Sequence, residues 1–334
     1  MRAMMLSDRE QAILLNLRKL GSPGCDERSV ERELALAQRH GACIITQADA
    51  DYPAVLRLIP DPPAVLYLRG TLTAADAVAV ALVGSRRASL YGLQSAERLA
   101  YELALRGVTV VSGLARGIDG AAHQGALNGS GRTLAVLGCG LSRIYPPEHD
   151  KLAEQVAAHG ALISEYPMDA QPMPYNFPRR NRLISGLSQG VVVVEASHRS
   201  GALITADCAL EQSREVFAVP GPMTSATSHG THRLIKDGAR LVTSVEDILA
   251  ELGLSPLEAS LPPSAEPIRL PEAERKVFEA LDARAPRYID AIAHQSGVAM
   301  PELAAALLQL ELKRLIQQLP GRQFIRRGKD AGWS

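Results

Sequence analysis

Six apolar runs, most of them separated by helix-length stretches, dominate the middle of the chain and limit what it can fold into. They read AVAVALVGS (77–85), VTVVSGL (108–114), TLAVLGCG (133–140), ALISEY (161–166), VVVVEAS (191–197) and EVFAVPG (215–221). A strand with one wet face alternates polar and apolar residues. These runs are nearly continuous, so both of their faces must be covered. Helical periodicity fills most of the gaps, as at Leu90–Arg106, Glu148–His159 and Ala202–Gln212. Apolar strands alternating with helices specify an α/β domain with a doubly wound, mostly parallel sheet. Its expected extent is 76–251.

The flanks read differently. Residues 1–75 form a short helical N-terminal region and a lead-in. Helices are expected at Glu10–Leu20 and Glu27–His40, followed by a short strand, a helical turn, an extended segment and a turn at Gly70. Residues 252–270 are rich in Pro and Ser, lack periodicity and read as a linker. Residues 271–329 give a helix, a second helix, a turn at Gly297, a third helix and the hairpin LPGRQFIRRGK, the order of a winged helix-turn-helix.

Lys and Arg number 36 and Asp and Glu 36, so whole-chain charge says nothing for or against a nucleic-acid partner. Local charge does. From 268 to 329 there are eleven Lys/Arg against seven Asp/Glu, a net of +4, with Arg322, Arg326, Arg327 and Lys329 in the hairpin. The four cysteines are scattered with no C-x-x-C pair, as expected of reduced thiols in a cytoplasmic protein. No apolar run approaches the length of a membrane span, and the first residues carry no signal core.

In open α/β sheets, ligands bind at the carboxyl ends of the strands. Here those ends read VGSRRAS, SGLARGID, GCGLSRIYPPEH, SEYPMD, EASHRSGALITA and VPGPM. Gly and Ser gather where a backbone must turn tightly or approach a ligand, and Arg86, Arg116 and Arg143 are carried to the same rim. GCG lacks the third glycine of a dinucleotide fingerprint, and no G-x-x-x-x-G-K-[ST] occurs, which excludes the common NAD and P-loop patterns. Asp119 reads as a helix cap. Ser200 and Gly201 open a helix and suit either a phosphate seat or a plain cap. His123 and His149 read as packing or surface residues, and no metal spacing is present. Glu165 and Glu195 end strands; acid–base work and hydrogen bonding to loop amides both remain open for them.

The strongest local signal is YNFPRRNRLISG (175–186). Pro178 suits a helix start, which puts Arg179, Arg180 and Arg182 at the positive end of a helix dipole. Leu183, Ile184 and Leu187 pin that helix to the sheet. Three cations so placed call for anions, and several glycine turns around them suit a chain of phosphates better than a single one. Arg180 is expected to reach it first, with bases on Tyr166, Tyr175 or Phe177.

Eight stretches in order, VGSRRAS, SGLARGIDGAAH, GCGLSRIYPPEH, SEYP, NFPRRNRLISGLS, EASHRSGALITA, FAVPG and HRLIKDGARLV, closely resemble the bacterial DNA-processing protein A (DprA, or Smf) family. The resemblance is dense over 40–245 and loose over 271–325. It implies an extended Rossmann-like core and a winged-helix domain. It further implies a cytoplasmic, non-enzymatic homodimer without cofactor or metal. Such a dimer binds single-stranded DNA, protects it, relieves the block set by single-strand-binding protein and loads RecA recombinase during natural transformation. By motif position, the DNA-binding residues would be Arg86, Arg179, Arg180, Asn181 and Arg182, with Gly84, Ser85, Ser112, Gly113, Ser200, Gly201 and Thr205 lining the pocket.

Two departures stand out. Only about 40 residues precede the match, where the family usually carries a longer helical domain, and His232 stands where asparagine is common. The alternative is a nucleoside monophosphate phosphoribohydrolase of similar fold. Those enzymes use a compact P-G-G-x-G-T turn followed by a glutamate. Here Pro220 and Gly221 are separated from Gly230 and Thr231 by eight residues.

Overall fold

Nine strands join in one sheet: β1 Ala42–Thr46, β2 Val65–Gly70, β3 Ala79–Gly84, β4 Thr109–Ser112, β5 Thr133–Val136, β6 Ala161–Ser164, β7 Gly190–Glu195, β8 Glu215–Ala218 and β9 Arg240–Leu241. Their order is β1-β2-β6-β5-β4-β3-β7-β8-β9. Every pairing from β6 to β9 is parallel, whereas β1–β2 and β2–β6 are antiparallel. The computed structural model describes residues 6–21, 25–254, 270–282, 285–313 and 315–326. The chain divides into two units, 1–260 and 261–334.

The six apolar runs become β3 to β8, and the side chains of β3 and β7 split by parity between two cores. Ala79, Ala81, Val83, Val191 and Val193 face Leu183, Ile184 and Leu187, while Val80, Leu82, Val192 and Val194 face Leu99, Leu103 and Ile118. All are buried. That double coverage is the physical reason the runs carry no polar alternation.

The lead-in does more than approach the core. Its two strands extend the same sheet, with Tyr67 opposite Ser164 and Gly70 opposite Ala161. Without β2, β6 would be an unpaired edge. The first two helices, Asp8–Lys19 and Glu27–Arg39, each begin with a capping box, on Ser7 and on Asp26. They pack Ile13, Leu17, Val30 and Ala37 against Ile44, Val65 and Tyr67.

The chain runs from β3 outward through β4, β5 and β6, then returns to β7 on the other side of β3. The strand order therefore reverses at β3/β7, the switch point at which a crevice opens in such sheets. The register between these two strands shifts at Val83/Gly84, so Gly84 faces Glu195.

In the second unit, helices Glu272–Glu279, Ile289–Ser296 and Met300–Leu312 pack with β10 Arg287–Tyr288, β11 Ile316–Leu319 and β12 Gln323–Arg326, ordered β10-β12-β11. Val277, Leu281, Ile292, Leu303, Leu307, Leu310 and Phe324 form its core, and Gly297 makes the left-handed turn at φ +67°. This is a winged helix, with a short third strand added to the expected hairpin. Arg327, Lys329 and most of the linker lie outside the described residues.

Candidate functional site

A cleft of about 820 Å³ opens at the carboxyl ends of β3 and β7. One wall is the turn Gly84, Ser85, Arg86 and Arg87. The other is Ser197, Ser200, Gly201 and Thr205, and Phe177, Arg180 and Asn181 enter from the helix Asn176–Gly186.

The turn after β3 is rigidly held. The Ser85 amide donates to the Glu195 carbonyl at 2.7 Å, and the Ile118 amide donates to the Ser85 carbonyl at 3.2 Å. The Ser85 hydroxyl accepts from the Arg87 amide at 3.1 Å. Only glycine fits at 117, where φ is +74° and an added Cβ would lie 2.2 Å from the Ser85 oxygen. The exposed Arg86 therefore sits on a fixed turn, its guanidinium 4.9 Å from the centre of the Phe177 ring. Among the described residues it makes no ion pair with a carboxylate.

Glu195 is buried and occupied. One carboxylate oxygen accepts from the Ser89 amide at 2.8 Å and the other from the Thr227 hydroxyl at 2.5 Å. Ser89 in turn caps the helix Leu90–Leu105. Of the two readings open from sequence, the brace between loops is the geometry present.

The three arginines part company. Arg180 is only 3 % exposed, and its guanidinium donates to the Gly113 carbonyl at 2.9 Å and to the Val136 carbonyl. It forms the cleft's inner wall, with its charge turned toward backbone oxygens. Arg182 pairs with Glu165 at 2.5 Å and lies 3.3 Å from Asp61, which also holds Lys19 at 3.2 Å. Arg179 lies 3.5 Å from the second Glu165 oxygen. Burial pushes the Glu165 carboxyl upward from its ordinary value, and the two guanidiniums oppose that rise. Arg179 and Arg182 thus neutralise a carboxylate on the side of the helix away from the cleft.

Asp119 is not the helix cap; Gly117 holds that position. Buried in the first turn, it accepts from the amides of Gly113 at 3.2 Å and Ala115 at 3.3 Å. Burial raises its pKa against the pull of Arg180.

Of the residues expected from sequence, the cleft gathers Gly84, Ser85, Arg86, Arg180, Asn181, Ser200, Gly201 and Thr205. Ser112 and Gly113 lie beneath it, the Ser112 hydroxyl donating to the Leu82 carbonyl at 2.6 Å. Of the candidate rings, Phe177 lines the cleft. Tyr166 is buried with its hydroxyl donating to the Asn176 carbonyl at 3.1 Å, and Tyr175 is 71 % exposed. Sequence reasoning missed Arg87, Tyr145, Pro172, Pro174, Ile204 and Thr227. Arg87 was readable beside Arg86 in the same motif. Ile204 sits on the helix Gly201–Glu211, and Tyr145, Pro172, Pro174 and Thr227 come from loops and a short turn and carry no local signature.

No cluster of three or more metal-type side chains occurs among the described residues, and no described helix is long and apolar enough to cross a membrane.

Comparison with known proteins gives a consistent result. Residues 43–253 match the family described as DNA recombination-mediator protein A, and residues 260–322 match the DprA winged helix domain. Protein Smf of Escherichia coli is 45% identical over 302 residues, which span 88% of this chain and 80% of that one. DNA processing protein DprA of Bacillus subtilis is 44% identical over 222 residues, 66% of this chain and 75% of that one. The crystal structure of DNA processing protein A from Streptococcus pneumoniae superposes with a TM-score of 0.61 at 37% identity, covering 74% of this chain and 93% of that one. DNA processing protein A from Helicobacter pylori, solved for its single-stranded DNA binding mode, gives a TM-score of 0.57 at 31% identity, covering 63% of this chain and 95% of that one.

Proposed function

Because the chain belongs to the DNA recombination-mediator protein A family, we propose that it binds single-stranded DNA in the β3/β7 cleft and acts as a mediator rather than an enzyme. In this reading a cytoplasmic homodimer protects incoming strands, displaces single-strand-binding protein and loads a RecA-type recombinase during natural transformation.

One observation carries the proposal. Arg86 stands exposed on a braced turn, over an aromatic ring and with no carboxylate in an ion pair among the described residues, at the mouth of a cleft floored by glycine and serine turns. A strand offers what that arrangement lacks, a run of anions with flat bases beside them. Arg86 takes the leading role, because Arg180 is committed to carbonyls and Arg179 and Arg182 to Glu165. The helix N-terminus at Ser200–Gly201 adds amides suited to a phosphate oxygen.

Two features support binding over base hydrolysis. The Glu195 carboxylate is held by Ser89 and Thr227, and that of Glu165 is held by Arg182. Neither is free to act on a ligand in the cleft.

The test is fluorescence anisotropy of oligo-dT at several salt concentrations. Arg86→Ala should weaken binding about tenfold, the value of one charge-assisted hydrogen bond. It should also flatten the slope of log K against log salt by about 0.7, for one phosphate contact fewer on a single strand. Unchanged affinity and slope would remove the cleft from consideration.

A further inference from the structure

We propose that a strand leaving the cleft past β7 crosses an outer nucleotide subsite made of His198, Arg199 and His229, in which a base rests on the imidazole pair and a phosphate meets Arg199. The proposal rests on the reading of the cleft as a single-stranded DNA site.

A cleft of about 820 Å³ is the size that encloses one compact ligand. A longer strand must therefore continue over the surface. On the β7 side the wall is made by Ser197, Ser200, Gly201 and Thr227. Gly201 has nothing within 4 Å of where a Cβ would stand, so the backbone there faces open space.

The two histidines flank this exit. His198 follows Ser197, and His229 begins the helix His229–Lys236 two residues after Thr227. Their ring centroids are 4.9 Å apart, with the planes tilted by 45°. The segments carrying them are tied together by the Gly230 amide donating to the Ala196 carbonyl at 2.8 Å. An added Cβ at Gly230 would fall 2.8 Å from that same carbonyl, so the close approach requires glycine. The Ser200 amide closes the turn onto the Ser197 carbonyl at 3.1 Å. The backbone segments that carry the rings are thus held in place before any ligand arrives, which lowers the ordering cost of binding. His198 and Arg199 are exposed, and Arg199 ion-pairs with no carboxylate among the described residues. Aromatic faces beside an unpaired cation are the parts of a stacking platform for bases of any identity.

The test compares a short oligo-dT that the cleft can hold, roughly 3 nucleotides, with one of about 20 that overruns it. The double variant His198→Ala, His229→Ala should bind the short oligonucleotide as the natural chain does. It should lose about fivefold or more on the long one, the contribution of one stacked base. The pair His198→Phe, His229→Phe keeps the flat faces and should restore the long-strand affinity. Equal binding by the alanine variant at both lengths overturns the proposal. So does an equal loss at both lengths, which would mean that the cleft itself was disturbed, and so does failure of the phenylalanine pair. Arg86→Ala separates the two readings, since it should weaken both lengths. If it weakens neither length, the cleft reading falls, and the path from the cleft to the histidine pair falls with it.

Discussion

Arg180 and Asp119 grip the two sides of one residue: the Arg180 guanidinium donates to the Gly113 carbonyl at 2.9 Å, and the Asp119 carboxylate accepts from the Gly113 amide at 3.2 Å. Gly113 has no Cβ to keep them apart, and one added there would lie 2.6 Å from Arg180 and 2.7 Å from Asp119. The arginine motif therefore serves two ends. Its buried member builds the floor that lets the exposed turn work.

That division separates stability from affinity. Arg180→Ala leaves Asp119 buried without its cation and two carbonyls without a donor, and should cost about 3 kcal/mol or more in urea melts. Arg86→Ala removes an exposed side chain whose ring contact is with Phe177 and should cost about 1 kcal/mol or less, though it weakens oligo-dT binding. If the melts rank the two variants the other way, the structural role given to Arg180 is wrong.

Glu195 should matter to the fold of the rim and not to bond cleavage. Glu195→Ala strands the Ser89 amide and the Thr227 hydroxyl and should destabilise by about 2 kcal/mol, and Glu195→Gln, which keeps an acceptor, by less. Incubation of the unaltered protein with nucleoside monophosphates should release no free base on chromatography. Release that Glu195→Gln abolishes would restore the hydrolase reading.

His123 should make the protein acid-sensitive. Its Nδ1 lies 2.7 Å from the Thr133 hydroxyl, which itself donates to the Val110 carbonyl at 2.8 Å, so Nδ1 carries the hydrogen. Burial lowers its pKa to about 3. The folded state thus favours the neutral ring. That contribution is complete above the unfolded value near 6.5 and is lost as pH falls toward 3, at about 1.4 kcal/mol per unit. Between pH 6.5 and 5.0 the loss is about 2 kcal/mol. His123→Asn should start less stable but lose less across this window in parallel urea melts. The raised carboxyls of Glu33, Asp119 and Glu165 act in the opposite sense, and being common to both proteins they cancel. Equal slopes would refute the assignment.

The winged helix should contribute little to single-strand affinity. The helix in the recognition position, Met300–Leu312, contains Glu302 and Glu311 and no Lys or Arg. Its exposed Met300 and Leu308 are apolar. A chain ending at residue 270 should bind oligo-dT within about threefold of the full chain, since few phosphate contacts would be lost. A loss of tenfold or more, with a flatter salt slope, would place phosphate contacts on this domain.

The parts legible in the sequence were those set by local rules. Apolar runs located β3 to β8, because double burial forbids alternation. The rule that ligands bind at the carboxyl ends of the strands located the rim, and the glycine and serine turns marked the cleft's walls. The fate of each arginine was not local. Arg180 depends on carbonyls 67 and 44 residues away, and Arg182 on Asp61 from the lead-in. The same holds for β1 and β2. Their pattern announces strands, but the choice of β6 as partner is made by the sheet's open side.

That choice has a practical side. The reversed pair β1/β2 is the hem of the sheet, and a shortened chain starting at residue 76 would cut it away. The backbone of Ala161–Ser164 would then lie bare along a fully buried strand, an invitation to pair with any other chain. Clumping of such a fragment would record the tear and would say nothing about how intact subunits assemble.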